Sequence, residues 1–292
     1  MIRKWIEAMR LRTLPVSVAG VLAGCGCAVW QNGFSFVPAL LCLLFALSAQ
    51  IASNFGNEYY DFMNGVDRKG REGFRRGVTE GDISPQMMKY ATFLMLGLAA
   101  LIGCLLLIFG PLWLIFVGCV ILLFALAYSA GPYPLSHHGL GDIAVVIFFG
   151  VVPVTFTCYL QTGEWGKLPI LLTTSVAIGL LAANVLIVNN YRDKEDDEAV
   201  GKNTTVVLFG RKAMSLVYLF SGIFAMAIMA PLWLQLPLWA IFAPLVYILM
   251  HILTWRRMSS SRGAALNPFL GRTALNLLIF TIMLLALFVC GR

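Results

Sequence analysis

Two short segments of this chain carry residue types and spacings that could do chemistry. The first is Asn57-Glu58-x-x-Asp61 with Asp67 just beyond, and the second is Asn189-Asn190-Tyr191-Arg192-Asp193-x3-Asp197. Of the 14 acidic residues, six lie between Glu58 and Asp82 and five between Asp193 and Glu198. Each cluster begins where a long apolar run ends. A carboxylate near the bilayer centre costs roughly 2.5–3.5 kcal/mol on insertion scales. Acids at the ends of two such runs therefore need a compensating partner. Hard oxygen ligands suit a divalent cation, magnesium first.

Helical spacing sharpens this reading. Positions i, i+4 and i+7 share a face, so Asn57, Asp61 and Asn64 point one way. Gly65 is expected to break the helix and let Asp67 fold back. Asp193 and Asp197 are again i, i+4, a spacing at which like charges destabilise an isolated helix. A solvated loop would account for either cluster alone. Two clusters on one side, both at helix ends, point to a site. Magnesium held by one or two carboxylates completes its shell with water and phosphate oxygens. Arg71, Arg75, Arg76, Arg192 and Lys202 could neutralise the outer oxygens. Together these groups could hold a diphosphate and stabilise it as a leaving group. For Arg71 and Arg75, membrane topology alone is an equal explanation.

The elements that must position these residues are membrane helices. The 292 residues are 60% hydrophobic and 12% charged, with a mean hydropathy of +0.84. Apolar runs long enough to cross roughly 30 Å of hydrocarbon occur at 14–30, 35–56, 90–109, 112–130, 142–160, 169–190, 214–231, 236–254 and 273–290. The expected fold is all-α: one domain over 1–292, with nine transmembrane helices around a central cavity. All but two of the 21 Lys and Arg then fall on the side of the N-terminus, leaving Lys167 and Arg292 opposite. That places the N-terminus and both acidic segments in the cytoplasm. The net charge of +7 faces anionic lipid and an anionic substrate, and calls for no nucleic acid. Trp5, Ile6 and Met9 beside Arg3, Lys4 and Arg10 suggest an interfacial helix ahead of an uncleaved first span. The seven cysteines all lie in apolar runs without metal-type spacing, and their odd number argues against a disulfide framework. His251, inside an apolar run, is expected to be satisfied by a neighbouring helix.

With these motifs in place, the chain resembles the UbiA-type superfamily of intramembrane aromatic prenyltransferases. The likeness covers nearly its whole length. The superfamily's first motif, Asn-Asp-x-x-Asp with a further Asp, reads as Asn57-Glu58-x-x-Asp61 and Asp67. Its second reads as Asp193-x3-Asp197, followed by Gly201-Lys202-Asn203-Thr204. Arg10-x-Arg12-Thr13-Leu14-Pro15, Arg76-x4-Gly81-x-Ile83-Ser84 and Gly131-Pro132-Tyr133-Pro134-Leu135 with Gly139-Leu140-Gly141-Asp142 resemble the branch that prenylates 1,4-dihydroxy-2-naphthoate in menaquinone synthesis. The resemblance implies Mg²⁺, a polyprenyl diphosphate donor and an integral protein of the bacterial cytoplasmic membrane. It assigns metal binding to Asn57, Asp61, Asp67, Asp193 and Asp197, and diphosphate binding to Asn57, Arg76, Arg192 and Lys202. It also brings Tyr128 or Tyr133 to the diphosphate or the developing cation, where a ring face attracts positive charge; an interfacial aromatic belt is the alternative. Two departures stand out. Glu58 replaces the usual Asp, and His137-His138 replaces small or aromatic residues, leaving the role of both histidines open. A hydroxybenzoate, homogentisate or porphyrin acceptor, or a solute transporter with acids lining its path, are the other readings.

Overall fold

A computed structural model describes residues 2–291 of the chain; Arg292, one of the two basic residues assigned to the far side, lies outside them. The described residues are helical, with no β-structure beyond one isolated bridge between His138 and Asn203. Helices α1 (Ile2–Ala8), α2 (Leu14–Trp30), α3 (Phe36–Met63), α4 (Pro85–Leu106) and α5 (Leu114–Ala127) come first. Then α6 (Gly141–Val145) and α7 (Val152–Thr162) form one rod through a π-helical turn at Val146–Val151. Next, α8 (Leu168–Arg192) runs into the short α9 (Lys194–Ala199), and α10 (Thr205–Ile228), α11 (Ala230–Trp233), α12 (Phe242–Ser259) and α13 (Asn267–Cys290) complete the chain.

The chain is an integral membrane protein. Seven helical segments are long and apolar enough to cross a bilayer: Phe36–Met63, Pro85–Phe109, Gly141–Thr162, Leu168–Arg192, Thr205–Trp233, Leu238–Ser259 and Gly263–Cys290. The other two of the nine expected spans, α2 and α5, are apolar but only 17 and 14 residues long. At 1.5 Å per residue these reach roughly 25 and 21 Å, short of a hydrocarbon core of roughly 30 Å. Burial sorts the helices by depth in the bundle. The most apolar stretch of α8 is 72% buried, whereas that of Pro85–Phe109 is 28% buried. α8 is thus the central post, and α4 turns most of its surface to lipid.

Local sequence explains the irregularities. Pro153 has no N–H to give the carbonyl one turn before it, and the helix widens into the π-turn just ahead of it. There the rod meets α8 backbone to backbone: a Cβ on Gly150 would fall 2.3 Å from the Gly179 Cα. Gly210 interrupts α10 with extended, left-handed geometry (φ 79°, ψ 159°); the charged pair Arg211-Lys212 just after it is why the apolar run reads as starting only at 214. At the N-terminus α1 packs on α3, with the Trp5 ring edge-on to Phe55 at 5.6 Å. His251 meets the Tyr218 carbonyl at 3.0 Å and stacks on the Tyr218 ring at 4.6 Å, satisfied by a neighbouring helix as expected. All seven cysteines are free.

Candidate active site

α3 continues for two turns beyond its apolar stretch, and those turns carry Asn57, Glu58 and Asp61. The Asn57 amide donates to Asp61 Oδ2 at 2.8 Å and to Ser129 Oγ at 2.9 Å, while its oxygen accepts from Arg10. Gly65, at φ 68°, then reverses the chain. The N–H groups of Val66 and Asp67 both donate to the Asp61 carbonyl, at 2.8 and 3.2 Å, so Asp67 folds back as its spacing predicts. Asn64 caps the helix and is exposed, so it does not join the face of Asn57 and Asp61.

The second segment repeats the device. α8 stops at Arg192, the Asp197 N–H donates to the Asp193 carbonyl at 2.8 Å, and Gly201 (φ 71°) turns the chain. The Lys202 N–H then donates to the Asp197 carbonyl at 2.9 Å, and its ammonium lies 3.4 Å from Asp197 Oδ1. A glycine in the left-handed region thus returns a charged residue over the acid before it, once as Asp67 and once as Lys202.

Arg71 joins the two halves. Its guanidinium lies 2.5 Å from Asp67 Oδ1 and 2.7 Å from Asp193 Oδ2. Arg76 Nε sits 3.2 Å from Asp67 Oδ2 without hydrogen-bond alignment. A small polar cavity of about 40 Å³ lies between the segments, lined by Asp67, Arg68, Arg71, Asp196, Asp197 and Lys202. Burial raises the Asp67 and Asp197 carboxyls, each to about 6, despite Arg71 beside the first and Lys202 beside the second. Burial pushes Asp193 up too, but hydrogen bonds and charge from Arg192, then Arg71 and Lys202, outweigh it and hold Asp193 below the usual range. Burial likewise disfavours the Lys202 ammonium, but Asp61 and Asp197 more than compensate and keep it charged.

The donor set fits a divalent cation. Asp61 Oδ1, Asp67 Oδ2 and Asp197 Oδ2 are buried yet accept no hydrogen bond, an expensive state for a carboxylate oxygen without a partner. They are hard oxygens, the ligand type magnesium takes. Among the described residues no three His, Cys, Asp or Glu side chains enclose a common point; the Arg71 guanidinium stands between Asp67 and Asp193 instead. Both Asp193 oxygens are engaged by arginines, as is the Asn57 oxygen.

Beyond these groups lies an apolar cavity of about 160 Å³, lined by α2–α7 and including Phe45, Phe124, Phe148 and Phe156. Gln50, Ser53 and Tyr128 supply polar edges. Ser53 is one turn before Asn57 on α3, so the cavity and the carboxylates adjoin along one helix face.

The UbiA prenyltransferase family pattern matches residues 17–284. The chain belongs to this family. It is 40% identical over 212 residues to a 1,4-dihydroxy-2-naphthoate octaprenyltransferase of Escherichia coli (strain K12), covering 70% of this chain and 68% of that one. It is 32% identical over 286 residues to the enzyme of that name from Mycobacterium leprae (strain TN), covering 96% and 94%. In fold it matches a UbiA homolog from Archaeoglobus fulgidus bound to DMAPP and Mg²⁺, with a TM-score of 0.69 at 19% identity over 97% of this chain and 99% of that one. The apo UbiA homolog from Aeropyrum pernix K1 gives 0.70 at 17% identity over 95% and 97%.

Within this UbiA-family site, two residues expected from the sequence stand elsewhere. Tyr133 is 58% exposed and stacks on the His138 ring at 3.5 Å; it does not line the cavity, which leaves Tyr128. Arg192 is buried and spends its N–H groups on Asp193, Asn189 and Asn267, which makes it a holder of Asp193 and gives it no free face for phosphate. Glu58 turns from the cluster to accept from the Val78 N–H at 3.0 Å, pinning the loop that carries Arg71 and Arg76. Arg10 and His137 join the site without having been singled out for it. Arg10 was visible only as part of an N-terminal motif, and His137 Nε2 lies 3.6 Å from Asp61 Oδ1.

Proposed function

We propose that this UbiA-family protein transfers a polyprenyl group from polyprenyl diphosphate to 1,4-dihydroxy-2-naphthoate, giving demethylmenaquinone in its reduced, quinol form, diphosphate and carbon dioxide. The convergence of two buried, oxygen-rich acidic segments at the edge of an apolar cavity carries the reading. The relatives named as 1,4-dihydroxy-2-naphthoate octaprenyltransferases support the acceptor. The Archaeoglobus homolog with DMAPP and Mg²⁺ supports the donor class and the metal.

Mg²⁺, when bound, neutralises diphosphate oxygens and stabilises diphosphate as it departs. Asp61, Asp67 and Asp197 would hold it with their unpartnered oxygens, joined by Asp193 once Arg71 turns to phosphate and by Asn57 once Arg10 does. Arg71, Arg76 and Lys202 are placed to receive the diphosphate charge. The allylic C–O bond breaks and its electron pair leaves with the diphosphate. The ring face of Tyr128, on the cavity wall, can face the resulting cation. The electron-rich aromatic carbon attacks that cation, and the carboxyl group leaves as carbon dioxide with its bonding pair restoring the ring. Phe45, Phe124, Phe148 and Phe156 give the prenyl tail an apolar bed and keep water from the cation. The charge bias of the loops supports a cytoplasmic orientation of this site, and the bacterial relatives support an inner-membrane location.

The test supplies purified protein with Mg²⁺, a polyprenyl diphosphate and a panel of aromatic acids, with products identified by mass. The expected product is the prenylated naphthalenediol lacking the carboxyl group. A product from hydroxybenzoate or homogentisate alone would reassign the acceptor, and turnover in excess EDTA would remove the metal.

A further inference from the structure

The chain has three histidines, and the fold gives each a different setting. His251 is sealed among α10 and α12, stacked between Tyr218 and Tyr247. His138 turns its Nδ1 to the Pro134 carbonyl at 2.8 Å and its ring to Tyr133. His137 alone faces the carboxylates. Its Nε2 is buried, has no hydrogen-bond partner and lies 3.6 Å from Asp61 Oδ1, which is itself buried and unpartnered. That separation is too long for a hydrogen bond. A metal ion holds oxygen and imidazole nitrogen at about 2.0–2.2 Å, so two ligands of one ion stand roughly 3 Å apart at a right angle and roughly 4 Å apart when opposed.

The backbone holds this placement from both sides. The His137 N–H donates to the Pro134 carbonyl at 3.0 Å, and the Ser136 N–H to the Tyr128 carbonyl at 3.0 Å. The His137 carbonyl accepts from the Asn203 N–H at 3.0 Å, the residue after Lys202. The loop following α5 is thus stitched to the second acidic segment while its imidazole points at the first.

The geometry points to His137 as a nitrogen ligand that shares a metal ion with Asp61, making this site mixed in donors rather than all-oxygen. The inference rests on the metal-diphosphate reading above and adds a metal preference to it. Affinity for nitrogen ligands rises from Mn²⁺ along the transition series, while magnesium prefers oxygen and dehydrates reluctantly, so an imidazole adds more to Mn²⁺ binding than to Mg²⁺ binding. The protein therefore binds Mn²⁺ more tightly than Mg²⁺ by a margin that His137 supplies.

Mn²⁺ is the probe, added to the full-length protein in detergent with inorganic diphosphate. Pulsed electron paramagnetic resonance should show a directly coupled imidazole nitrogen, and its signal should change to the ¹⁵N pattern when the protein is grown on ¹⁵N-histidine. The coupling should vanish in His137→Ala and persist in His138→Ala. Calorimetry should show Mn²⁺ affinity falling at least about tenfold in His137→Ala, the lower end of what loss of a supporting metal partner costs, with a smaller fall for Mg²⁺. Bound Mn²⁺ without nitrogen coupling in the unmodified protein would overturn the inference and leave the metal reading intact, and needs no variant to fold. Absence of bound Mn²⁺ with diphosphate present would overturn both.

Discussion

Asp61 and Asp193 are the same residue type in the same cluster, yet their neighbours differ, and so will the outcomes of replacing them. Asp61 has one oxygen accepting from Asn57 and the other unpartnered. An Asn there can still accept that bond through its own oxygen. Asp61→Asn should abolish turnover, because a metal-holding charge is gone, and should melt only modestly lower, because Lys202 loses one of the two carboxylates beside it and keeps Asp197. Asp193 is wrapped by Arg192 and Arg71, with side-chain exposure of 2% beside the 3% of Arg192. Removing one partner of a buried pair leaves the other charge uncompensated, typically at 3–5 kcal/mol. Asp193→Asn should therefore lose turnover and melt markedly lower. Equal melting temperatures for the two variants would show that Arg192 finds another partner. The basic residues divide in the same way. Replacing Arg76 or Lys202 by Ala removes a charge-assisted contact to phosphate worth roughly 1.5–3 kcal/mol. Donor affinity should fall about ten- to a hundredfold, with acceptor affinity little changed and inhibition by inorganic diphosphate weakened in parallel. Unchanged donor affinity would return these residues to a purely topological role.

At the level of elements, the two left-handed glycines set the geometry of the site. A Cβ at Gly65 or Gly201 meets nothing within 4 Å, so substitution there tests backbone strain and not crowding. Gly201→Ala should cost about 1–2 kcal/mol for holding an L-residue at positive φ, and part of that cost will be relieved by moving Lys202 off Asp197. Donor affinity should drop while acceptor affinity holds; a variant that melts lower yet keeps donor affinity would show that the turn serves stability alone. This turn was legible in the sequence for the first segment, where Gly65 stands between a periodic helix and a stranded Asp. So were the ends of the two apolar stretches, at 56 and 190, although α3 itself runs on to Met63 and α8 to Arg192. The convergence itself was not. Nothing in the spacing says that Arg71, 122 residues before Asp193, bridges to it, because a loop basic residue satisfies the topology rule wherever it points. Tyr133 and Tyr128 look alike in sequence, both flanking one loop, and only packing decides which faces the cavity. The short α2 and α5 read as full spans because hydropathy registers apolar composition and not length: α2 fills its expected bounds of 14–30 with 17 residues, and α5 is helical over only 14 residues of the expected 112–130.

Across the whole molecule, the buried carboxylates make stability and metal binding respond oppositely to pH. Asp67 and Asp197 titrate near 6 in the folded protein, against about 3.9 for an ordinary carboxyl. Between those values the folded chain keeps protons that the unfolded chain has released, and by linkage this favours folding. The contribution is complete below about pH 4 and is lost as pH rises through 6. A shift of about two units corresponds to roughly 3 kcal/mol for each group. Asp193 is shifted the other way, and its stabilising effect changes only below the ordinary carboxyl value, outside this window. Metal-free protein should thus melt higher at pH 5 than at pH 7.5. A cation needs the same oxygens ionised, so Mg²⁺ affinity should be steepest in pH below 6 and level above it. Adding saturating Mg²⁺ and diphosphate should raise the melting temperature strongly at pH 7.5 and little at pH 5, reversing the order seen in EDTA. Thermal denaturation of the solubilised protein at both pH values, with and without Mg²⁺, reads this directly. A metal-free protein that gains stability from pH 5 to 7.5 would mean that Arg71 and Lys202 already neutralise both carboxylates, leaving no charge deficit for a metal to fill.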